Sequence, residues 1–245
     1  MANKKLLFNI ELSKKDIVKG LKLPSSIDNE FAYLCGIIIG DGSIYKRIDK
    51  NDYIIKCVGN PHDEKELYHQ IIGPKFQHAF GFIPNIRLQD TNTTYGFTVH
   101  SKNIFRYLTE AIGLEQGRKD QRLKIPEIFL NDKELLMYVI KGIFDTDGCI
   151  SFKKKYKERP YYPVITVSSK SKKLIQQISS FLKNMKFNIV EIYDYKVKDI
   201  RNSKGYTIIN RIEMNGKDNL KNWLLSVGFE SPKHLKKIKE NWKEK

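Results

Sequence analysis

Two aspartates, Asp41 and Asp147, lie 106 positions apart, and each closes an apolar run and is followed by glycine. The runs are Leu34-Cys35-Gly36-Ile37-Ile38-Ile39-Gly40-Asp41-Gly42 and Ile140-Lys141-Gly142-Ile143-Phe144-Asp145-Thr146-Asp147-Gly148. Carboxylates brought together from two such runs could hold a divalent cation. Mg²⁺ takes oxygen ligands and commonly combines one or two carboxylates with phosphates of a substrate. Placed alone at helix C-termini, the two charges would repel each other and face the negative ends of two helix dipoles. A cation relieves both costs.

The elements that must position these groups are two helices. Small residues recur four apart, Gly36 and Gly40 in one run, Gly142 and Thr146 in the other. Four residues is about one turn, so each pair lines one face and lets two backbones approach closely. The terminal glycines Gly42 and Gly148 are expected to stop the helices. After each helix the same order of elements follows. In the first half, strands are expected over Ser43–Lys50 and Tyr53–Val58. A helix over Asp63–Phe80, interrupted at Gly73-Pro74, comes next, then strands Asn85–Gln89 and Tyr95–His100 and a helix Ser101–Ile112. In the second half, strands over Ile150–Tyr156 and Pro163–Ser168 precede a helix Lys170–Met185. Strands Ile189–Val197 and Tyr206–Met214 and a helix Lys217–Val227 complete it. Each half therefore reads α-β-β-α-β-β-α. The fold class is α+β, a pseudo-two-fold duplication with one four-stranded antiparallel sheet in each half. The divisions are an N-terminal extension over 1–28, a first half over 29–132 and a second half over 133–245. The extension includes a short helix capped by Ser13, and Arg122–Lys133 connects the halves.

Alternation predicts which strand residues point away from the helices. Ser43, Tyr45 and Arg47 alternate with Ile44 and Ile48. Arg87 and Gln89 alternate with Ile86 and Leu88, and Ser151, Lys153 and Lys155 with Ile150 and Phe152. Arg211 joins this outward set. Such a face suits the DNA major groove, where Arg pairs with guanine and Gln with adenine.

The two motifs resemble those of the LAGLIDADG homing endonucleases in their monomeric two-motif form, and the resemblance spans about Asn29 to Lys239. Ile39 and Gly40 stand where the family name spells Asp-Ala, and Lys141 replaces a small residue in the second copy. The resemblance implies a site-specific endonuclease that hydrolyses both strands of a long asymmetric double-stranded DNA site, with Mg²⁺ or Mn²⁺ as cofactor. It implies Asp41 and Asp147 as catalytic residues and metal ligands, with Gly40 and Thr146 beside them. A basic residue near the scissile phosphates would be Lys119, with Arg118 one position away, in the first half and Lys233 in the second. They follow the echoed pairs Gly113-Leu114 and Gly228-Phe229. Asn60, and Ser168 or Ser169, fall where the family places a water-organising side chain. Intron RNA is a second partner implied for this scaffold. The alternative function is an intron-RNA maturase or DNA-binding regulator that does not cut.

Composition agrees with a polyanionic partner. The net charge is +16, and it is lopsided. Residues 1–150 carry 21 Lys and Arg against 19 Asp and Glu, whereas residues 151–245 carry 23 against 9. Lys153, Lys154, Lys155 and Lys157 form one dense group. Such a field attracts phosphate backbones. Five histidines without zinc or HNH spacing, and three scattered cysteines, disfavour a His- or Cys-held metal. No apolar run reaches 18 residues, so no membrane span is expected. The start of the chain has no secretory h-region, and the expected location is the prokaryotic cytoplasm at the nucleoid, or an organelle matrix.

Overall fold

The computed structural model describes residues 4–5, 10–117, 120–155, 158 and 161–242. Its centre is a pair of crossed helices, α2 (Asn29–Gly40) and α6 (Lys133–Thr146). Asp28 caps α2 by accepting from Phe31 N, and Asp132 caps α6 by accepting from Glu134 N and Leu135 N. From Phe31 to Gly40 every residue of α2 is buried. Its apolar character on all sides is what a helix enclosed by its own protein requires. The crossing point is Gly36 on Gly142. A Cβ on Gly36 would stand 2.1 Å from the Val139 carbonyl oxygen, and one on Gly142 would stand 2.3 Å from that of Tyr33.

Around this pair the elements run in the expected order. The ribbon β1 (Lys4–Lys5) with β2 (Ser26–Ile27) and the short helix α1 (Lys14–Val18) precede α2. Then come β3 (Gly42–Arg47), β4 (Asp52–Gly59), α3 (Gly73–Phe80), β5 (Arg87–Gln89), β6 (Thr94–His100) and α4 (Lys102–Arg106). After α5 (Glu127–Leu130) and α6, the second half supplies β7 (Gly148–Lys153), β8 (Tyr162–Ser169), α7 (Lys172–Asn184), β9 (Ile189–Lys198), β10 (Tyr206–Asn215), α8 (Lys217–Ser226) and α9 (Pro232–Asn241). The strands form two antiparallel sheets with equivalent orders, β3-β4-β6-β5 and β7-β8-β10-β9.

Several local expectations change. No break occurs at Gly73-Pro74. A π-helical segment, Leu67–Ile72, runs straight into α3, and Pro74 occupies the first turn of α3, where its missing N–H costs nothing. Gly42 and Gly148 do not take left-handed φ values. They are needed for another reason: a Cβ would lie 2.6 Å from Ile38 O in one and 2.4 Å from Phe144 O in the other. Each strand leaves directly against the last turn of its motif helix. Helices α5 and α9 were not expected from periodicity. β7 ends at Lys153, and Lys155 adopts φ 49° in the following turn, so strand alternation does not reach it.

The segment before α2 is built into the first half. Leu21 and Ile27 are buried in the core, and Lys22 N donates to Phe80 O on α3. The same pattern returns before α6. Leu21-Lys22-Leu23-Pro24 is answered by Leu123-Lys124-Ile125-Pro126, where Gln177 of α7 brackets Ile125 through its main-chain N–H and carbonyl. The duplication thus extends upstream of the motif helices on both sides.

Candidate active site and nucleic-acid interface

Because the helices cross at a glycine contact, their C-termini abut. Gly40 faces Thr146, where a Cβ would stand 1.9 Å from Thr146 Oγ1 and 3.7 Å from the carboxyl carbon of Asp147. Thr146 Oγ1 turns inward, donating to the carbonyls of Gly142 and Ile143, each at 3.1 Å. Asp41 and Asp147 each occupy the C-cap, with main-chain N–H groups bonded to Ile37 O and Ile143 O. The structure therefore brings the two sequence-predicted carboxylates to one place.

The surroundings of Asp41 are more acidic than the sequence suggested. Tyr68 donates to Asp41 Oδ2 at 3.4 Å. Burial, with the nearby Cys57 and Asp41, pushes the Tyr68 phenol far above its ordinary value, so it stays a neutral donor. Glu64, 5% exposed, comes close to the same spot. A single carbon added to Gly59 would lie 1.9 Å from Glu64 Oε2 and 2.9 Å from Asp41 Oδ2. Glu64 Oε2 accepts from Asn60 N at 2.6 Å, while its other oxygen pairs with Lys233 of the second half. Lys233 thus reaches across to the first half's carboxylates. Lys119 and Arg118 lie outside the described residues. Asn60 spends its side-chain oxygen on His62 N, and Ser169 Oγ accepts from Ser171 N, so both are turn-forming in this structure.

Among the described residues, no three His, Cys, Asp or Glu side chains converge on a point where they could hold a metal ion. Two carboxylates with the adjacent main-chain oxygens form a hard, all-oxygen donor set. This fits Mg²⁺ or Mn²⁺, which complete their shells with phosphate and water, and does not fit a closed zinc site.

The element that seats Lys233 was not legible beforehand. Asp145, fully buried and directly before Thr146, accepts from Tyr33 Oη at 2.8 Å, Glu230 N at 2.9 Å and Ser231 N at 3.1 Å. It ties α2, α6 and the N-terminus of α9 together. Lys75 adds a second tie, pairing with Glu30 at 3.1 Å and Glu230 at 3.0 Å over the Tyr33 ring. Lys141, the unexpected residue of the second motif, lies 3.9 Å from the same Glu230. In the first half the position of Asp145 is held by Ile39, which packs near Leu114 and Leu123 instead.

Asp145 sets a pH dependence. Burial drives its carboxyl up to about 6 despite the donors around it. Its contribution to stability is therefore present below about 4 and lost as pH rises through about 6. His234, buried against Phe229, behaves oppositely. Burial, with Lys233 and Lys237, holds it down to about 3, so its contribution is present above 6.5 and lost as pH falls through about 3. The two cancel over the shared interval. Asp145→Asn should uncover the histidine, and the melting temperature of the variant should climb between about pH 3 and 6.5 while wild type stays flatter. Parallel profiles in thermal melts across this range would mean that Asp145 does not titrate there.

On the sheets, strand register confirms the outward face. Ser43, Tyr45 and Arg47 lie opposite Lys56, Ile54 and Asp52, and Arg47 Nε donates to Asp52 at 3.1 Å. Arg87 and Gln89 face outward opposite Gly96 and Thr94, and Thr98 donates to Gln89 Oε1 at 3.3 Å. Ser151 and Lys153 face outward on β7. Arg211 lies opposite Ser168 and is paired with Glu213 on the same face. Lys155 stacks over the Tyr162 ring at 3.8 Å. Two expected inward residues stay exposed: Ile48 is 83% exposed, beyond the end of β3, and Leu88, on the inward side of its three-residue edge strand, is 42% exposed.

Comparisons with known proteins agree with this geometry. Residues 134–228 match the model of the LAGLIDADG-like domain. A probable translation initiation factor of Methanocaldococcus jannaschii is 28% identical over 217 residues, which is 85% of this chain but 16% of that protein. The homing endonuclease I-DmoI of Desulfurococcus mucosus is 24% identical over 169 residues, 67% of this chain and 75% of that one. A crystal structure of I-DmoI with DNA and Ca superimposes with TM-score 0.58 at 19% identity, covering 87% of this chain and 98% of that one. The shared architecture is the duplicated fold with its paired sheets.

Proposed function

We propose that this chain, which belongs to the LAGLIDADG family in its two-motif form, is a site-specific endonuclease that hydrolyses both strands of double-stranded DNA with a divalent metal. The observation that carries the reading is the meeting of Asp41 and Asp147 at abutting helix ends, where two sheets with polar and basic outer faces also begin. Crystal structures of I-DmoI with DNA together with Ca or Mn support it by analogy. Asp41 and Asp147, with main-chain oxygens of Gly40 and Thr146, would hold Mg²⁺ or Mn²⁺. Such an ion activates water and neutralises charge on phosphate oxygens.

The chain's own groups do the rest. The outward residues Ser43, Tyr45, Arg47, Arg87, Gln89, Ser151, Lys153, Lys155 and Arg211 are assigned to the duplex. Several already have acidic partners, so DNA must exchange with Asp52 at Arg47 and with Glu213 at Arg211. That exchange favours a ligand matching both charge and shape over any polyanion. Tyr68 orients Asp41 through its hydroxyl. Lys233, held by Glu64, stands beside the same carboxylates and is assigned to the charge that builds up on the cleaved phosphate, with Lys119 in the equivalent role for the other strand. Incubation with a randomised duplex library, with Mg²⁺ or with EDTA, tests the reading. Cut ends at one sequence, with Mg²⁺ only, are expected, and binding without cut ends would make the protein a regulator or maturase.

Lys233→Met should slow single-turnover cleavage about 10²-fold, the scale of losing one transition-state donor. An unchanged rate with weakened affinity would make Lys233 a phosphate anchor.

A further inference from the structure

The outer strand of the second sheet differs in kind from its counterpart. On β5 the outward residues are Arg87 and Gln89. On β9, register places Val190, Ile192, Tyr195 and Val197 on the outward face, opposite Glu213, Arg211, Ile209 and Thr207. All four β9 side chains are apolar or aromatic. Val190 is 50% exposed, Tyr195 55% and Val197 37%. The parity is secure because Ile212 and Met214 of β10, on the opposite face, are buried in the core. A bulge between the pairs at Ile209 and Arg211 lets β9 carry one extra residue and keep the same face outward. Asp194, at φ 56°, absorbs that residue and is gripped by Lys172 at 2.6 Å and by Asn210 through its main-chain N–H. The bulge is thus fixed by side-chain bonds.

An exposed apolar row on an edge strand is a liability, since edges invite pairing with other chains and apolar surface invites aggregation. Its setting points to the occupant. Arg211 adjoins Ile192 on the same face, and that face runs on to Ser151 and Lys153 of β7, whereas Lys196 and Lys198 alternate with the row and point to the other side of β9. An apolar strip continuous with the polar and basic face already assigned to the duplex suits a major groove, in which the apolar feature is the thymine C5-methyl.

We propose that the outward face of β9 reads thymine methyl groups, so that the outer part of the half-site bound by the second sheet is thymine-rich, whereas β5 reads its half-site through hydrogen bonds from Arg87 and Gln89. This rests on the DNA-binding reading above and adds the substrate's base preference. Val190 and Val197 supply branched methyl groups, Ile192 a longer one beside Arg211, and Tyr195 a flat surface that crosses to Ile209. Beside the row, the hydrogen-bonding side chains of β10 on this face are Arg211, its partner Glu213 and Thr207.

The test begins with duplexes selected from a randomised library by the full chain in EDTA, where no strand is cut. The selected site is expected to hold thymines at the outer positions of one half-site. Each is then replaced by deoxyuridine, which removes only the methyl group. Affinity should fall about fourfold per methyl, the scale of burying one such group. In Val190→Thr with Val197→Thr, which keeps side-chain shape at exposed positions, thymine and deoxyuridine should bind alike. Equal affinity for thymine and deoxyuridine in wild type overturns the proposal, although a selected site still sustains the DNA-binding reading. Loss of methyl discrimination with an unchanged melting temperature supports it, and undiminished discrimination in the double variant places the methyl contacts elsewhere. Concentration-dependent self-association that the same variant abolishes would reassign the strip to a protein contact.

Discussion

Asp41→Asn and Asp147→Asn are each expected to abolish double-strand cleavage, by at least about 10²-fold in single-turnover rate, while leaving duplex affinity nearly intact. The rate scale is that of removing one group that stabilises developing charge, and loss of a metal ligand removes more. Asparagine keeps the size and one oxygen of aspartate, so the abutting helix ends, where Gly40 meets Thr146, can remain as they are. What changes is charge. The two carboxylates lie at the negative ends of α2 and α6, a placement that costs stability unless a cation is present. Either substitution should therefore leave the metal-free protein as stable as wild type or slightly more so. A melting curve in EDTA and a cleavage assay in Mg²⁺ read these two effects separately. Wild-type cutting in either variant would remove the carboxylates from the mechanism. Failure of both to bind the selected duplex would mean that they shape the interface instead.

The motif helices were legible because their signal is local. Glycines four apart, an apolar run and a closing Asp-Gly state that two backbones must touch and where a carboxylate ends up. Strand order was legible through alternation, and the duplication through the repeated order of elements and the echo of Gly113-Leu114 in Gly228-Phe229. The contacts that join the halves could not be read this way. Tyr33 meets Asp145, and Glu64 meets Lys233, only because α2 and α6 cross at one angle and depth, which no spacing encodes. One clue was present: Asp145 stands in the second motif where the first has Ile39, and an acidic residue inside an apolar helix requires donors. The glycines after the motifs were assigned a helix-ending role from residue type, yet close packing against Ile38 and Phe144 is what excludes a side chain there. The upstream repeat of Leu21–Pro24 in Leu123–Pro126 is not legible in the sequence, because four residues carry little pattern without α3 and α7 beside them.

The crossing itself sets the second large effect. Gly142→Ala should destabilise the protein by about 1–3 kcal/mol, the usual cost of forcing a methyl group into a packed core, or more. The added Cβ would meet Tyr33 O at 2.3 Å, Ile37 N at 2.9 Å and Gly36 Cα at 3.0 Å. Every one of these is a main-chain atom, so no side chain can swing away. Gly36→Ala meets Val139 O at 2.1 Å and should behave alike. Relief requires α2 and α6 to separate, and separation moves Asp41 away from Asp147 while stretching the bond from Tyr33 to Asp145. Activity should consequently fall further than the loss of folded protein explains, even at temperatures where the variants are fully folded. Gly117→Ala serves as the contrast: unlike Gly36 and Gly142 this glycine has a positive φ, with nothing within 4 Å of an added Cβ, so the substitution carries backbone strain without touching the crossing. Melting curves and single-turnover rates at low temperature for the three variants decide the matter. If Gly142→Ala lowered stability but kept the wild-type rate when folded, the spacing of the two aspartates would not depend on this contact, and the halves would have to be aligned by the ties from Asp145, Lys75 and Lys233 alone.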